Sequence, residues 1–136
     1  MNLVPPSQSR SFSFKVKQSR FISYLHRCET GSDFKSWLSQ LRKDPYDASH
    51  ICWAYRIQDS SQLEHHSSDG GEPSGTAGQP ILKAMTQNNL VQCSLAVTRY
   101  FGGTKLGKSG LIDAYGTAAR NVIDQMTLIE WVRKER

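Results

Sequence analysis

Two glycine-rich stretches carry the residue types that could do chemistry. The first is Asp69-Gly70-Gly71-Glu72-Pro73-Ser74-Gly75-Thr76-Ala77-Gly78, with two carboxylates three residues apart and two hydroxyls beside four glycines. Paired carboxylates can work as acid and base or hold a cation. Ser74 and Thr76, with the amides of Gly75 and Gly78, could donate to a phosphate. The bland alternative is that Asp69 caps a turn while Glu72 holds a basic partner such as Arg99. The second stretch is Arg99-Tyr100-Phe101-Gly102-Gly103-Thr104-Lys105-Leu106-Gly107-Lys108-Ser109-Gly110-Leu111. Its glycines let amides approach a ligand, and a helix start after them adds unpaired N–H groups and a positive dipole end. Candidate anion or ligand contacts are therefore Asp69, Glu72, Ser74, Gly75, Thr76, Gly78, Arg99, Gly102, Gly103, Lys105, Gly107 and Lys108.

Gly102 to Ser109 also satisfies G-x-x-x-x-G-K-[ST], which would place Lys108 on nucleotide phosphates and Ser109 on Mg²⁺. The rest of the chain argues against it. Only 27 residues follow Ser109, and no apolar strand ends in a metal-binding Asp. His50 and Cys52 are two apart in an apolar run, hence on one face of a strand; there, buried structural roles outweigh a Cys/His catalytic pair. His65-His66 lacks a third ligand at metal spacing, so no metal and no cofactor is expected.

The elements that must position these loops follow from periodicity. Phe12, Phe14 and Val16 alternate with polar residues as in a strand, and Ser19 to His26 reads as a second strand after a turn at Gln18-Ser19. Phe34, Trp37, Leu38 and Leu41 form a helical stripe, with Ser32 as its N-cap and Asp33 in its first turn. His50 to Ile57 is apolar enough for a central strand. Asp59 to Gly71 reads as an exposed loop, Ile81 to Gln87 as a short helix with Pro80 in its first turn. Cys93 to Tyr100 alternates as a strand, Leu111 to Met126 is helical with Ser109 as N-cap, and Thr127 to Val132 is a closing edge strand. The order predicts an α+β fold with a mixed sheet covered by helices on one face. Residues 1–11 are expected to be a flexible arm and residues 12–136 a single domain.

The formal net charge is +5 and the pI about 9.3, which leans toward acidic partners. Lys15, Lys17, Arg20, Arg56, Lys105 and Lys108 could track phosphates, with Arg99 on the same rim, and Tyr100 and Phe101 could stack on bases if exposed. Phe101 could equally plug the core. The three cysteines, Cys28, Cys52 and Cys93, form no C-x-x-C and suit a reducing cytoplasm. No apolar run is long enough for a membrane span, so no membrane association is expected.

Four blocks match a known pattern in order: Ser19-Arg20-Phe21-Ile22, Ala48 to Arg56, Gly71 to Gly78, and Arg99 to Gly107. On these the chain resembles the YigZ-type N-terminal domain of the IMPACT/YigZ family, over Arg20 to Asn121. The resemblance implies a fold like the second domain of ribosomal small-subunit protein five and a role near translation. Eukaryotic members resemble regulators that compete for a ribosome-associated activator of a starvation kinase; for bacterial members, nucleic-acid binding is suspected from shape and charge. Three departures stand out. The family has Asp-Asp-Gly-Glu where this chain has Asp69-Gly70-Gly71-Glu72. It has Gly-Thr-Gly-Gly where this chain has Gly107-Lys108-Ser109-Gly110, so the nucleotide-loop match looks accidental. The second small domain of many bacterial members, and the RWD domain of eukaryotic ones, are expected to lie outside this chain.

The expected function is a translation-linked regulatory binding module that contacts RNA, the ribosome or a ribosome-associated regulatory protein through both loops and the basic rim, more in keeping with a non-enzyme. Two alternatives stay open: a small enzyme acting on a phosphorylated or acidic small molecule around Asp69, Glu72 and Lys105, and a pure protein-interaction domain.

Overall fold

A computed structural model describes residues 1–6, 9–43 and 47–132. The end of the first helix at Asp44-Pro45 and the basic tail after Val132 lie outside the described residues. Phe12, Phe14 and Val16 turn one way along β2 (Arg10–Val16), which pairs with β3 (Ser19–Arg27). Register closes the hairpin on two residues, Lys17 and Gln18, both with positive φ (45° and 69°). That suits the twist of a two-residue hairpin loop and moves the turn one residue earlier than expected. Ser19 is the first residue of β3.

The strands order as β2-β3-β6-β4-β5, with β4 at His50–Gln58, β5 at Leu63–Ser68 and β6 at Cys93–Tyr100. Every neighbouring pair in this sheet is antiparallel, so the α+β class holds with a uniform rather than a mixed sheet. β6 lies in the middle, buried from Cys93 to Arg99. β5 occupies much of the stretch expected to be loop; it is a polar edge strand, and Glu64-His65-His66 give it no apolar period to read.

Two helices cover one face. α2 (Gly78–Gln87) and α3 (Gly107–Asp124) pack Ile81, Met85, Tyr115 and Val122 onto Phe21, Leu25, Leu95 and Val97. α1 (Gly31–Lys43) lies on the opposite face, where Phe34 and Leu38 meet Tyr55 and Ile57 of β4. Alternation along β4 makes this possible: Cys52 and Ala54 face α2 and α3, while Trp53, Tyr55 and Ile57 face α1. The sequence expectation of helices on one face thus holds for two of the three.

The helix starts also differ. Thr30 caps α1: its Oγ1 accepts the Asp33 amide at 3.1 Å, and Asp33 Oδ2 accepts the Glu29 amide at 3.1 Å, close to a capping box. Ser32, expected as the cap, lies inside the helix. α3 begins at Gly107, before Ser109, with Leu106 at its N-cap and no side-chain cap. Within the stretch expected to be a loose arm, Leu3 and Val4 form β1 (Leu3–Val4). It pairs with β7 (Ile129–Glu130), and the Leu3 backbone bonds to Asn89 and Val91. Val4 is 1% exposed, so burial holds this segment down.

Candidate functional site

The two glycine-rich stretches meet at one end of the sheet, but they do different jobs. Asp69 sits at the end of β5 and turns its carboxylate inward on its own loop. Oδ1 accepts the amides of Ala77 (3.1 Å) and Gly78 (2.8 Å), and Oδ2 accepts that of Gly75 (2.9 Å). Burial pushes this carboxyl up, but the three amide bonds, from Gly75, Gly78 and Ala77, outweigh it and hold the group below its ordinary value. The amides expected to cradle a phosphate are therefore occupied by an internal anion. Thr76 is buried and donates its hydroxyl to the Pro73 carbonyl at 2.6 Å, so it too is engaged within the loop. Ser74 is exposed. The loop needs glycine at Gly70: φ is +55°, and a Cβ there would stand 2.1 Å from the Ile51 carbonyl oxygen.

Glu72 points into the protein. Its carboxylate accepts Arg99 Nη1 at 3.1 and 2.9 Å and the Tyr115 hydroxyl, and His50 Nε2 lies 3.6 Å away. Both partners of the ion pair are nearly sealed, with side-chain exposures of 3% for Glu72 and 6% for Arg99. Arg99 also donates to Ser19 Oγ, at 3.3 Å from both Nε and Nη2. Its guanidinium stands 5.7 Å from the Phe21 ring and 5.3 Å from the Phe101 ring. Ser19 Oγ in turn accepts the Gly102 amide at 3.3 Å, which ties the second loop to the same network. Gly102 is pressed on the β2–β3 turn, where a Cβ would lie 2.1 Å from the Gln18 carbonyl oxygen.

Two further groups complete this floor. His50 must carry its proton on Nδ1, because that nitrogen lies 3.0 Å from the Gly70 carbonyl, which can only accept. Cys52 donates to the Asp69 carbonyl at 3.1 Å; burial is the main reason its thiol is pushed up to about 12. A thiol held so is a structural group, not a nucleophile, as the sequence suggested. Burial likewise raises the Tyr115 phenol, so it stays a donor to Glu72.

Above this floor lies a cleft of about 430 Å³, lined by His50, Glu72, Pro73, Arg99, Phe101, Lys105, Leu106, Gly107, Lys108 and Leu111. Leu106, Leu111, Pro73 and Phe101 give it apolar walls. Phe101 is 49% exposed and so does not plug the core. Lys105 and Lys108 are exposed at the rim; Gly103 and Gly107 adopt positive φ with open space around them.

The structure thus gathers Glu72, Arg99, Lys105, Gly107 and Lys108 at one cleft, with Gly102 and Gly103 in its loop. It sets the other expected contacts elsewhere. Arg56 is buried at 8% exposure and donates to the Leu90 carbonyl (2.7 Å) and Thr86 Oγ1 (3.0 Å), pinning the end of α2. It is no part of a phosphate-tracking rim. Lys15, Arg20 and Tyr100 face the other side of the sheet from Arg99, by strand alternation. Lys17 lies exposed in the β2–β3 turn. Ser19 and Tyr115 are network members not singled out as polar partners from sequence; a Tyr inside an apolar helix stripe, whose hydroxyl needs a buried acceptor, was the available signal. The nucleotide-loop match is accidental: the motif requires a strand of a parallel sheet, and β6 is antiparallel to both neighbours.

Fold and site together define an α+β domain that closes a glycine-rich loop and a half-open cleft over an internal Arg–Glu–Tyr network. The family model for the Impact N-terminal domain matches residues 17–123. The IMPACT family member YvyE of Bacillus subtilis (strain 168) is 37% identical over 115 residues, covering 85% of this chain and 52% of the relative. A crystal structure titled as that of a hypothetical protein superposes with a TM-score of 0.84 at 34% identity, over 93% of this chain and 62% of the other. The two-domain translational regulator Yih1 shares the fold, with a TM-score of 0.53 at 22% identity over 88% of this chain and 46% of Yih1. The chain belongs to the IMPACT family. It spans about half the length of the curated relatives it matches.

Proposed function

We propose that this chain is a translation-linked binding module, acting in the cytoplasm, that engages an anionic partner (RNA or an RNA-bearing ribosomal surface) through the rim of the cleft. The observation that carries this is the pairing of exposed Lys105, Lys108 and Phe101 around apolar walls. Cations there neutralise phosphate while the ring stacks. The carboxylates an enzyme would use are already engaged, Asp69 by amides and Glu72 by Arg99 and Tyr115, which favours binding over catalysis. Kinship with proteins of which one is titled a translational regulator points the same way.

The test is a fluorescence-anisotropy titration of a labelled, structured RNA at several salt concentrations, beside a Lys105→Ala/Lys108→Ala variant. Binding that weakens steeply with salt and further in the variant supports the proposal. A partner protein bound with little salt dependence, and no RNA bound at low salt, would replace it with the protein-interaction alternative.

A further inference from the structure

Strand alternation gives the sheet two unlike faces. One carries Phe21, Leu25, Leu95 and Val97 under α2 and α3. On the other, register builds rows across β2, β3 and β6: Lys15–Arg20–Tyr100, then Ser13–Ile22–Thr98, then Ser11–Tyr24–Ala96. Lys15, Arg20, Ser11 and Ser13 are exposed, and Tyr24 and Tyr100 are half-buried. α1 covers the β4 side of this face, where Phe34 lies 4.7 Å from the Trp53 ring and 4.5 Å from the Tyr55 ring, and reaches the far end of β3, where Trp37 stacks on His26 at 5.0 Å. The open part of this face thus lies on β2 and β3 and at the end of β6, where half-buried Tyr24 and Tyr100 stand with exposed Lys15 and Arg20, edged by Ser11 and Ser13; Ala96 and Thr98 of β6 are buried, and Asp47 stands within electrostatic reach of Tyr100. Tyr100 and Tyr24 stand two rows apart, about 13 Å along the strands at ~3.3 Å per residue.

We propose that this half of the sheet is a platform for single-stranded RNA, with bases stacked on Tyr100 and Tyr24 and phosphates drawn to Lys15 and Arg20. It rests on the reading of the domain as an RNA-facing module, but it names a second surface and a strandedness. Aromatic rings spaced along a sheet face accept unstacked bases of any sequence, while a duplex keeps its bases inside and offers them nothing to stack. An acidic peptide could use the two cations but would have no reason to need the rings. Tyr100 borders Phe101, which turns to the cleft, so one strand can pass from platform to cleft around the end of β6.

The experiment compares a labelled 12-nucleotide oligouridine with a hairpin of fully paired RNA by anisotropy, over a salt series, for five proteins: wild type, Tyr100→Ala, Tyr100→Phe, Lys15→Ala/Arg20→Ala and Lys105→Ala/Lys108→Ala. Thermal melts confirm that each is folded. Lys15 and Arg20 are exposed, so their double variant keeps the test sound if Tyr100→Ala unfolds. Expected are preference for the single strand, a Kd raised about ten-fold by Tyr100→Ala, and a salt slope flatter by about 1.4 in the Lys15/Arg20 variant, near 0.7 per phosphate. Tyr100→Phe retains wild-type affinity. Equal binding of the hairpin, or oligouridine binding lost only in the Lys105/Lys108 variant, overturns the platform and leaves the cleft proposal standing. A polyglutamate peptide bound with the same sensitivity to Tyr100→Ala overturns it in favour of a protein contact. No binding of any RNA removes both proposals.

Discussion

Replacing Arg99 by methionine removes the cation from a carboxylate that is 3% exposed. Glu72 would keep the Tyr115 hydroxyl, but lose both bonds from Nη1 and the only guanidinium in contact with it among the described residues. Breaking a buried pair from one side costs about 3–5 kcal/mol; the surviving Tyr115 bond sets the expectation near the lower end, about 3–4 kcal/mol. A domain of this size is stable by about 5–15 kcal/mol, so the variant still folds but melts early. With an unfolding entropy of about 2.1 cal/mol/K per residue, the loss lowers Tm by roughly 10–14 °C. Glu72→Gln, which strands the Arg99 charge, should cost a similar amount. The double variant removes both charges and should be no less stable than the worse single, giving a coupling energy of about 3 kcal/mol. Urea unfolding of the four proteins at neutral pH, followed by circular dichroism, measures this. An Arg99→Met loss below about 1 kcal/mol, or strict additivity in the double variant, would refute the claim that this pair organises the site.

Three other outcomes follow from the geometry. Asp69→Ala leaves three amides without their acceptor and should lower stability by about 1–3 kcal/mol. Because the folded carboxyl is held below its unfolded value near 3.8, its contribution is present above that pH and fades as pH falls through the folded value; the stability difference between wild type and variant should therefore shrink in acid unfolding. Gly102→Ala forces a Cβ onto the Gln18 carbonyl and should cost at least about 2 kcal/mol, read by thermal melts; a neutral result would mean that loop and hairpin turn separate freely. Burial raises all three thiols, Cys28 to about 11 and Cys52 to about 12, so none should react with a thiol reagent in the native state at pH 8, and all three should react in urea.

What the sequence revealed follows physical periodicity. The Phe12-Phe14-Val16 alternation, the Phe34-Trp37-Leu38-Leu41 stripe and the apolar β4 and β6 runs each report burial directly, and they gave the α+β class. The Glu72 to Arg99 pairing was legible because a buried acid needs a base, and β6 offered one. β5 was not legible, since an edge strand with both faces wet has no reason to alternate. Nor was the side on which α1 packs: β4 is apolar on both faces, which signals two covered faces without saying what covers them. Arg56 misled because charge in a sequence says nothing of depth, and only the bonds to Leu90 and Thr86 reveal a buried strut. The Asp69 loop misled for a related reason. A glycine-rich run beside an acid reads equally well as a cradle for a foreign anion or for its own.

The middle position of β6 has a consequence for how the domain comes into being. A nascent chain presents the β2–β3 hairpin first and the β4–β5 hairpin next, yet the two share no edge until Cys93–Tyr100 slots between them. The two hairpins must therefore leave the ribosome as separate ribbons, each with an open edge. Closure spans about 70 residues between partners, a slow step by topology. The same strand ends in Arg99, so assembling the sheet and delivering the cation to Glu72 are a single event. A ribosome stalled before that strand emerges would display neither the main core beneath α2 and α3 nor a cleft.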